Sequence, residues 1–291
     1  MKVLTIGATG KYAGLVVPEL KKRGVTVRAL VRDESESAAA RERGANETAV
    51  GDLLDSASLR RAADGMDGVF HLNPAFAPDE AGMGVAMVEA AKAAGVRKFV
   101  FSSVFHPSLS MVNHAAKRPV EEALYESGME FTVLQPAMFM QNLEGGWQSV
   151  VEQKRISMPY SKLAKMCYVD YRDVAEAAAL GLTGNRLAYG TFELSSPGMF
   201  DRVELAALIS EALGQTVEAG EISAEEWARN AARIPNAALR EGLTRMNAHY
   251  DKYGFAGGNS LVLQAVLGRE PRTLRQFIYE LAGTASKTAT V

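Results

Sequence analysis

The sequence predicts an α/β protein built on a doubly wound parallel sheet, with a smaller and mostly helical C-terminal lobe. Three observations predict it. The chain opens on a short apolar run, Val3-Leu4-Thr5-Ile6, followed by the glycine-rich turn Gly7-Ala8-Thr9-Gly10-Lys11-Tyr12-Ala13-Gly14 and then by apolar residues at helical spacing. Strand-like and helix-like segments alternate through the first half, the pattern of repeated βα units and hence of parallel strands covered by helices on both faces. At 291 residues, 47% hydrophobic and 23% charged, the chain can bury the core of one large domain and an attached lobe.

The first strand, the turn and the helix behind it, carried by Tyr12, Leu15, Val16, Val17 and Leu20, make a phosphate cradle. Gly7 permits a tight turn, Gly10 lets the backbone approach a pyrophosphate, and the small Ala13 at the third position lets helix and strand pack closely. An anion there faces the free N–H groups and positive dipole end of the helix, so no basic cluster is required. Glycine spacing alone is a weak signal; the strand before and the helix after supply the context the fingerprint needs. A mononucleotide P-loop fails on residues, since Thr5 stands where its first glycine belongs and Tyr12 where its Mg-binding Ser or Thr belongs. The fold expected is therefore of the Rossmann type.

The first helix closes at Lys21-Lys22-Arg23, cations that complement a helix C-terminus, with Gly24 as left-handed cap. Strands follow at 25–31, 47–50, 69–72, 99–102 and 131–134, with helices at 35–43, 56–63, 82–94 and one ending near Ser127-Gly128. Beyond Leu134 the alternation loosens. Helices at 139–152 and 172–182, strands at 166–169 and 191–194, and mostly helical residues to Leu281 describe a second lobe woven onto the first, punctuated by Pro159, Pro197, Pro235 and Pro271. The division expected is a nucleotide-binding domain over 1–150, a substrate lobe over 151–282 interleaved with it, and a flexible Ala/Thr-rich tail over 283–291.

A net charge of −2 carries no electrostatic footprint for nucleic acid or an anionic membrane. Cys167 is the only cysteine; it excludes an intramolecular disulfide and, in an apolar strand, reads as buried and inert. His71, His106, His114 and His249 are scattered without metal-ligand spacing, so no metal is expected. No apolar run approaches a membrane span, and Gly7 cuts the N-terminal run too short for a signal peptide, which makes the cytoplasm the expected location.

Ligands in open α/β sheets bind outside the carboxyl ends of the strands. Strand two ends in Arg32, where an NAD-preferring fold usually places an acid for the ribose hydroxyls. A cation accommodates the extra phosphate of NADP, and a guanidinium also stacks on adenine. The residues thus favour NADP over NAD, with Asp33 as the acid NAD would use and a solvated strand-end arginine as the plain alternative. Asp52, in Gly51-Asp52-Leu53, either accepts from the adenine amine or caps the helix opening near Ser56. Asn73, before Pro74, either contacts the cofactor ribose or is a turn asparagine. His106 either reaches a substrate or lies on a surface loop. Met138, Phe139, Met140 and Trp147 either line an apolar substrate pocket or belong to the core.

Gly7-Ala8-Thr9-Gly10, Val31-Arg32-Asp33, Gly51-Asp52-Leu53, Phe101-Ser102-Ser103, His114-Ala115-Ala116-Lys117, Val133-Leu134-Gln135-Pro136 with Phe139 and Asn142, and Val169-Asp170-Tyr171-Arg172-Asp173-Val174-Ala175 resemble the NmrA-like branch of the atypical short-chain dehydrogenases/reductases. The similarity continues through Gly254-Phe255 and 267–272, so it spans essentially the whole chain. The resemblance implies a Rossmann domain that binds NAD(P), usually NADP, with a small C-terminal lobe closing over the nicotinamide. Residues and resemblance together assign the cofactor to Gly7, Thr9, Gly10, Lys11, Tyr12, Arg32, Asp52, Leu53, Asn73, Pro74, Lys117 and Pro136. The resemblance fixes less of the chemistry, because the family includes reductases of quinones and activated double bonds as well as cofactor-binding regulators.

Short-chain dehydrogenases place a Tyr four residues before a Lys on one helix face, the Lys lowering the phenol's pKa. Here the pair is Asn113 and Lys117, and an amide is not a usable acid. Pro119 disfavours a continuous helix, so a helix is expected to start near Arg118 and leave Lys117 in the loop before it. Lys117 then either bonds the nicotinamide ribose or an oxyanion, or is a solvated surface lysine. Asp170 and Asp173 are expected to fix the lobe junction and a helix start. Two functions follow. One is an NADPH-dependent reductase that passes hydride to a quinone or an activated double-bond or carbonyl acceptor; the other is a non-catalytic sensor of the NADP(H) state. The partner expected is a small-molecule acceptor, and the chain a monomer or homodimer.

Overall fold

The computed structural model describes the backbone of residues 1–288 and the side chains of 1–283. Its first strands follow the apolar runs. In chain order the elements are β1 (Lys2–Ile6), α1 (Val16–Lys22), β2 (Thr26–Val31), α2 (Ser37–Glu42), β3 (Glu47–Val50), α3 (Ser56–Ala63), β4 (Gly68–Leu72), α4 (Glu80–Ala93), β5 (Lys98–Ser102), α5 (Val112–Ala115), α6 (Arg118–Tyr125) and β6 (Glu130–Pro136). There follow β7 (Met138–Phe139), α7 (Trp147–Gln153), β8 (Arg155–Met158), β9 (Met166–Val169), α8 (Tyr171–Thr183), β10 (Gly190–Leu194), β11 (Met199–Phe200), α9 (Arg202–Leu213), β12 (Glu218–Glu221), α10 (Ala224–Ala231), α11 (Ala237–Tyr253), α12 (Leu261–Leu267) and α13 (Leu274–Thr288). No helix among the described residues is long and apolar enough to cross a membrane.

The chain divides into two units, Met1–Pro136 with Tyr171–Leu194, and Ala137–Asp170 with the chain from Ser195 on. The expected boundary at residue 150 falls inside the second unit, because the chain leaves the first at Pro136 and returns for α8 and β10. Of the expected tail 283–291, residues 283–288 continue the backbone of α13 and 289–291 lie outside the described residues.

The first unit holds a seven-stranded parallel sheet in the order β10-β6-β5-β4-β1-β2-β3. Chain order reverses between β1 and β4, the switch point at which such sheets open a crevice. Side chains alternate across each strand. Leu4, Val69, Phe99, Phe101 and Val133 join Leu59, Met87, Val88, Val120 and Leu124 in one buried layer beneath α3, α4 and α6. The other parity serves α8: a Cβ on Gly181 would lie 3.1 Å from Thr132 Oγ1 and 3.2 Å from Val100 Cγ2, so a side chain there would have to push these neighbours aside by a few tenths of an ångström. Burying an apolar side chain contributes about 1.5–3 kcal/mol, and these two layers carry that term for the unit.

In the second unit β9 lies between β11, antiparallel to it, and β7, parallel to it. A further parallel pair, β8 with β12, was not foreseen. The helix expected over 139–152 is broken: β7 is followed by a 3₁₀ segment, Met140–Gly146, and α7 starts only at Trp147. Gly145-Gly146 supply no side chain to hold a longer helix together. Cys167 is buried, as its strand suggested.

Candidate functional site

β1 stops at Ile6 because Gly7 turns the chain, with φ +78°, a region side chains avoid. The turn is closed by the Gly10 N–H donating to the Gly7 carbonyl at 2.8 Å, and a Cβ on Gly10 would stand 3.1 Å from that oxygen. The helix behind begins as a 3₁₀ turn, Ala13–Leu15, and continues as α1. Two small residues set its approach. Ala13 Cβ would meet a Cβ on Gly7 at 3.1 Å, and one on Gly14 would lie 2.9 Å from the Ala8 carbonyl oxygen. Gly14 therefore shares the close-packing role expected of Ala13.

A cleft of ≈ 490 Å³ opens outside the ends of β1, β2 and β4. It is lined by Gly7, Thr9, Gly10, Lys11 and Tyr12 from the turn, Arg32 from the end of β2, Asp52 and Leu53 after β3, and Asn73 and Pro74 after β4. Its volume lies in the range of small-molecule and cofactor sites, about 300–1,000 Å³. Glycine backbone at Gly7 and Gly10 on one wall, a guanidinium on the rim and apolar Leu30, Val31 and Met83 within are the donor set a dinucleotide requires: close backbone approach for a pyrophosphate, a cation for a further phosphate, a greasy slot for a base. Neither Lys117 nor Pro136 lines this cleft.

Arg32 is exposed and paired. Its Nη2 and Nε donate to Glu36 Oε1 at 2.6 and 3.1 Å, and its backbone N–H to Glu36 Oε2 at 3.2 Å. The carboxylate beside it raises the Arg32 pKa further. Asp33, the neighbouring acid, is turned to Ser35, whose backbone N–H it accepts at 2.9 Å as the cap of the 3₁₀ turn Glu34–Glu36. Asp52 does not cap α3: Asp55 does, accepting from Ala57 N at 2.9 Å, while Asp52 Oδ1 accepts from Leu54 N at 2.9 Å and shapes the loop at the cleft. The capping alternative for Asp52 is thereby corrected, the nearer acid to the first helical turn being the better cap.

Asn73 is buried, and its amide is used inside the protein. Nδ2 donates to the Glu80 carbonyl at 2.9 Å, and Oδ1 accepts from His71 Nε2. His71 is fully buried, stacked on Phe101 at 5.8 Å, and burial pushes its pKa down to about 4, so the ring is neutral at pH 7. The side chain of Asn73 is thus committed to this network, although the residue lines the cleft.

Lys117 is neither solvated nor facing the cleft. It is buried, with its ammonium paired to the Glu80 carboxylate. Glu80 Oε2 also accepts the Phe76 N–H at 2.8 Å, fixing a residue whose φ is +63°. As expected, α6 starts at Arg118 with Pro119 in its first turn, and Lys117 precedes it. Asn113 sits on the separate α5, with its Oδ1 buried and without a hydrogen-bond partner. Ala116 and Lys117, between the two helices, keep helical dihedrals, so the Tyr-x-x-x-Lys pair of the short-chain dehydrogenases is absent in residue, Asn113 standing in for the tyrosine, and its lysine is turned to Glu80.

His106 has φ +55° and its Nδ1 pairs with Glu193 Oε1 at 2.9 Å, partly exposed. Tyr171 is buried, its hydroxyl donating to Ser102 Oγ at 3.1 Å, and burial raises its pKa, so it is no proton donor to a ligand. Met138, Phe139 and Trp147 belong to the second unit. Met138 and Phe139 are half-buried in β7, and Trp147 is buried at the start of α7 with its indole N–H unpartnered. In the same unit Asp170 accepts from Gln141 Nε2 at 2.7 Å.

A family model described as the NmrA-like family matches residues 1–280. The chain belongs to the NmrA-like family. An NAD(P)H azoreductase from Xenophilus azovorans is 31% identical to it over 289 residues, covering 94% of this chain and 96% of that one. Quinone oxidoreductase 2 of Escherichia coli is 24% identical over 281 residues, covering 94% and 96%. Among solved structures, the triphenylmethane reductase of Citrobacter sp. complexed with NADP(H) aligns with TM-score 0.83 at 22% identity, over 96% of this chain and 99% of that one. An NADPH-dependent quinone oxidoreductase from Escherichia coli, complexed with NADPH, aligns with TM-score 0.82 at 23% identity, over 97% and 99%. At these identities the structural likeness establishes the fold.

Two residues of this NmrA-like chain that bear on the site escaped sequence reasoning. Glu36 stands four positions after Arg32, the spacing at which opposite charges meet, and that signal was available. Glu80 is 37 positions before Lys117, and nothing in the local sequence of either announces the other.

Proposed function

We propose that the chain is an NADP(H)-dependent oxidoreductase that passes hydride to a small acceptor whose reduced anion is stable in water, a quinone or an activated double bond. The observation that carries the reading is the cleft at the β1/β4 switch point, with the glycines Gly7 and Gly10 on one wall and Arg32 on its rim. The relatives named as an azoreductase and a quinone oxidoreductase support the reaction class. The glycine turn Gly7–Tyr12 faces the pyrophosphate, with the Gly10 N–H kept for closing the turn, Arg32 reads the ribose phosphate, and Asp52 and Leu53 border the adenine. Bound there, the nicotinamide supplies the hydride. The chain offers no phenol before Lys117, Tyr171 is sealed, and the Lys117 ammonium is neutralised by Glu80, so acceptors that need a strong local acid are disfavoured. Within the first unit, His106 is the residue proposed to meet the acceptor.

The test is steady-state NADPH oxidation with a panel of quinones, enones, aldehydes and ketones. Turnover with quinones or enones supports the reading. A flat panel combined with tight NADPH binding supports instead a sensor of the NADP(H) state, the reading favoured by the sealed Lys117–Glu80 pair.

A further inference from the structure

Two opposite charges share the rim where cofactors are told apart. Arg32 at the end of β2 and Glu36 at the end of the following 3₁₀ turn both line the cleft. Their side chains are joined through Nη2–Oε1 at 2.6 Å and Nε–Oε1 at 3.1 Å, and the second carboxylate oxygen takes the Arg32 backbone N–H at 3.2 Å. The guanidinium is 86% exposed while the carboxylate is 22% exposed, so the acid forms the inner part of the rim and the cation the outer. Asp33, the acid that directly follows the strand, is spent on Ser35 and does not line the cleft.

An acid after β2 accepts hydrogen bonds from the 2′-hydroxyl of an NAD ribose, whereas a cation there meets the 2′-phosphate of NADP. Here both are present, and each opposes the other's ligand. A 2′-phosphate drawn to Arg32 comes within a few ångströms of a like-charged carboxylate, and part of the guanidinium's donor capacity is already taken. A ribose without phosphate finds Glu36 held in place by Arg32 and ready to accept.

Resting on the cofactor reading above, we infer that Glu36 is the specificity-determining residue of this cleft, setting the ratio of NADH to NADPH affinity by holding Arg32 back from the phosphate and offering a carboxylate to the bare ribose. The chain therefore accepts both dinucleotides. Glu36 acts on adenosine-ribose binding alone.

The test is direct titration of the full-length protein with NADPH and with NADH, by calorimetry or by the nicotinamide fluorescence, for the parent and for Glu36→Gln. The side chain lies on a partly exposed surface turn, so thermal unfolding of the variant serves as the check that it is folded. In the variant, the dissociation constant for NADPH is expected to fall about three- to tenfold as like-charge repulsion is removed. That for NADH is expected to rise about tenfold as a charge-assisted hydrogen bond is lost. A parent that binds both cofactors and a variant in which the two constants move in these opposite directions support the inference. Constants that stay in their parental ratio, or weaker NADPH binding in the variant, overturn it while leaving the oxidoreductase reading intact. A parent that binds neither dinucleotide overturns both.

Discussion

The ammonium of Lys117 and the carboxylate of Glu80 form an ion pair from which solvent is almost excluded, with the two side chains 5% and 3% exposed. Glu80 opens α4 and shapes the loop after β4 through the Phe76 N–H; Lys117 precedes α6. The pair ties α4, the cleft loop and α6 together. Its charges are taken out of water and repaid only by each other, so removing either one alone leaves a buried charge without a partner.

Lys117→Met should therefore destabilise the protein by about 3–5 kcal/mol, and the Lys117→Met/Glu80→Gln double variant should recover most of that, since the glutamine still accepts the Phe76 N–H. Urea unfolding of the parent, both single variants and the double variant measures the cycle. Single variants as stable as the parent would show that the pair is not sealed in solution. The cycle also guards against misreading a loss of activity in a Lys117 variant as catalysis when part of it is folding.

Replacing Arg32 tests the cofactor reading itself. Arg32→Ala should weaken NADPH about ten- to a hundredfold, the equivalent of one charge-assisted hydrogen bond at about 1.5–3 kcal/mol, with NADH weakened much less, only by the loosening of Glu36. Titration with both cofactors decides it, and equal weakening of both would mean that Arg32 does not meet the phosphate.

The cradle predicts a separate loss. With a Cβ at Gly10 already 3.1 Å from the Gly7 carbonyl oxygen, the two γ-methyls of Gly10→Val must project into the cleft or displace the turn. NADPH and NADH binding should fall together, while circular dichroism and thermal unfolding report a folded sheet. Unchanged affinity in a folded variant would place the pyrophosphate away from this turn.

What the sequence made legible was what local periodicity encodes. β3, α3 and β9 match their expected bounds, and Gly24, φ +71°, follows the end of α1 as the left-handed cap the basic cluster suggested. β8 and β12 were missed because Arg155-Ile156-Ser157-Met158 and Glu218-Ala219-Gly220-Glu221 each fully bury a single residue, so neither shows a two-residue alternation to read. The glycine cradle and the strand-end Arg32 were readable because motif and position coincide. The Lys117–Glu80 and His71–Asn73 contacts were not, because burial of a polar side chain is decided by tertiary packing.

His71 should leave a mark on pH stability. Its ordinary value near 6.5 is pushed down to about 4 by burial, so the unfolded chain takes up this proton first as pH falls. The stability tied to neutral His71 is complete above about pH 6.5 and is lost progressively toward pH 4, reaching about 3 kcal/mol in all. His71→Gln keeps a donor for Asn73 Oδ1 and removes the titration. Unfolding free energies at pH 7.5 and 4.5 should therefore drop further for the parent than for the variant, and equal drops would show that His71 does not titrate in this window.

The final prediction concerns the kind of acceptor. A ketone or aldehyde needs a proton on its oxygen as hydride arrives, which short-chain dehydrogenases deliver from a phenol whose pKa a lysine lowers. Here Asn113 lies on α5 and Lys117 beyond its end, with the lysine's charge already answered by Glu80. Restoring the missing residue alone should then achieve nothing: Asn113→Tyr supplies a phenol, but no free ammonium to lower its pKa, because Lys117 is held by Glu80. A quinone places the developing charge on an oxygen of low basicity and needs no such donor. Parent and Asn113→Tyr should both reduce quinones with NADPH and neither should reduce ketones. Ketone turnover gained by Asn113→Tyr would show that Lys117 leaves Glu80 during the reaction and that the pair is a latent catalytic dyad; robust ketone turnover by the parent would reveal a proton donor elsewhere, with His106 and its partner Glu193 the first to replace.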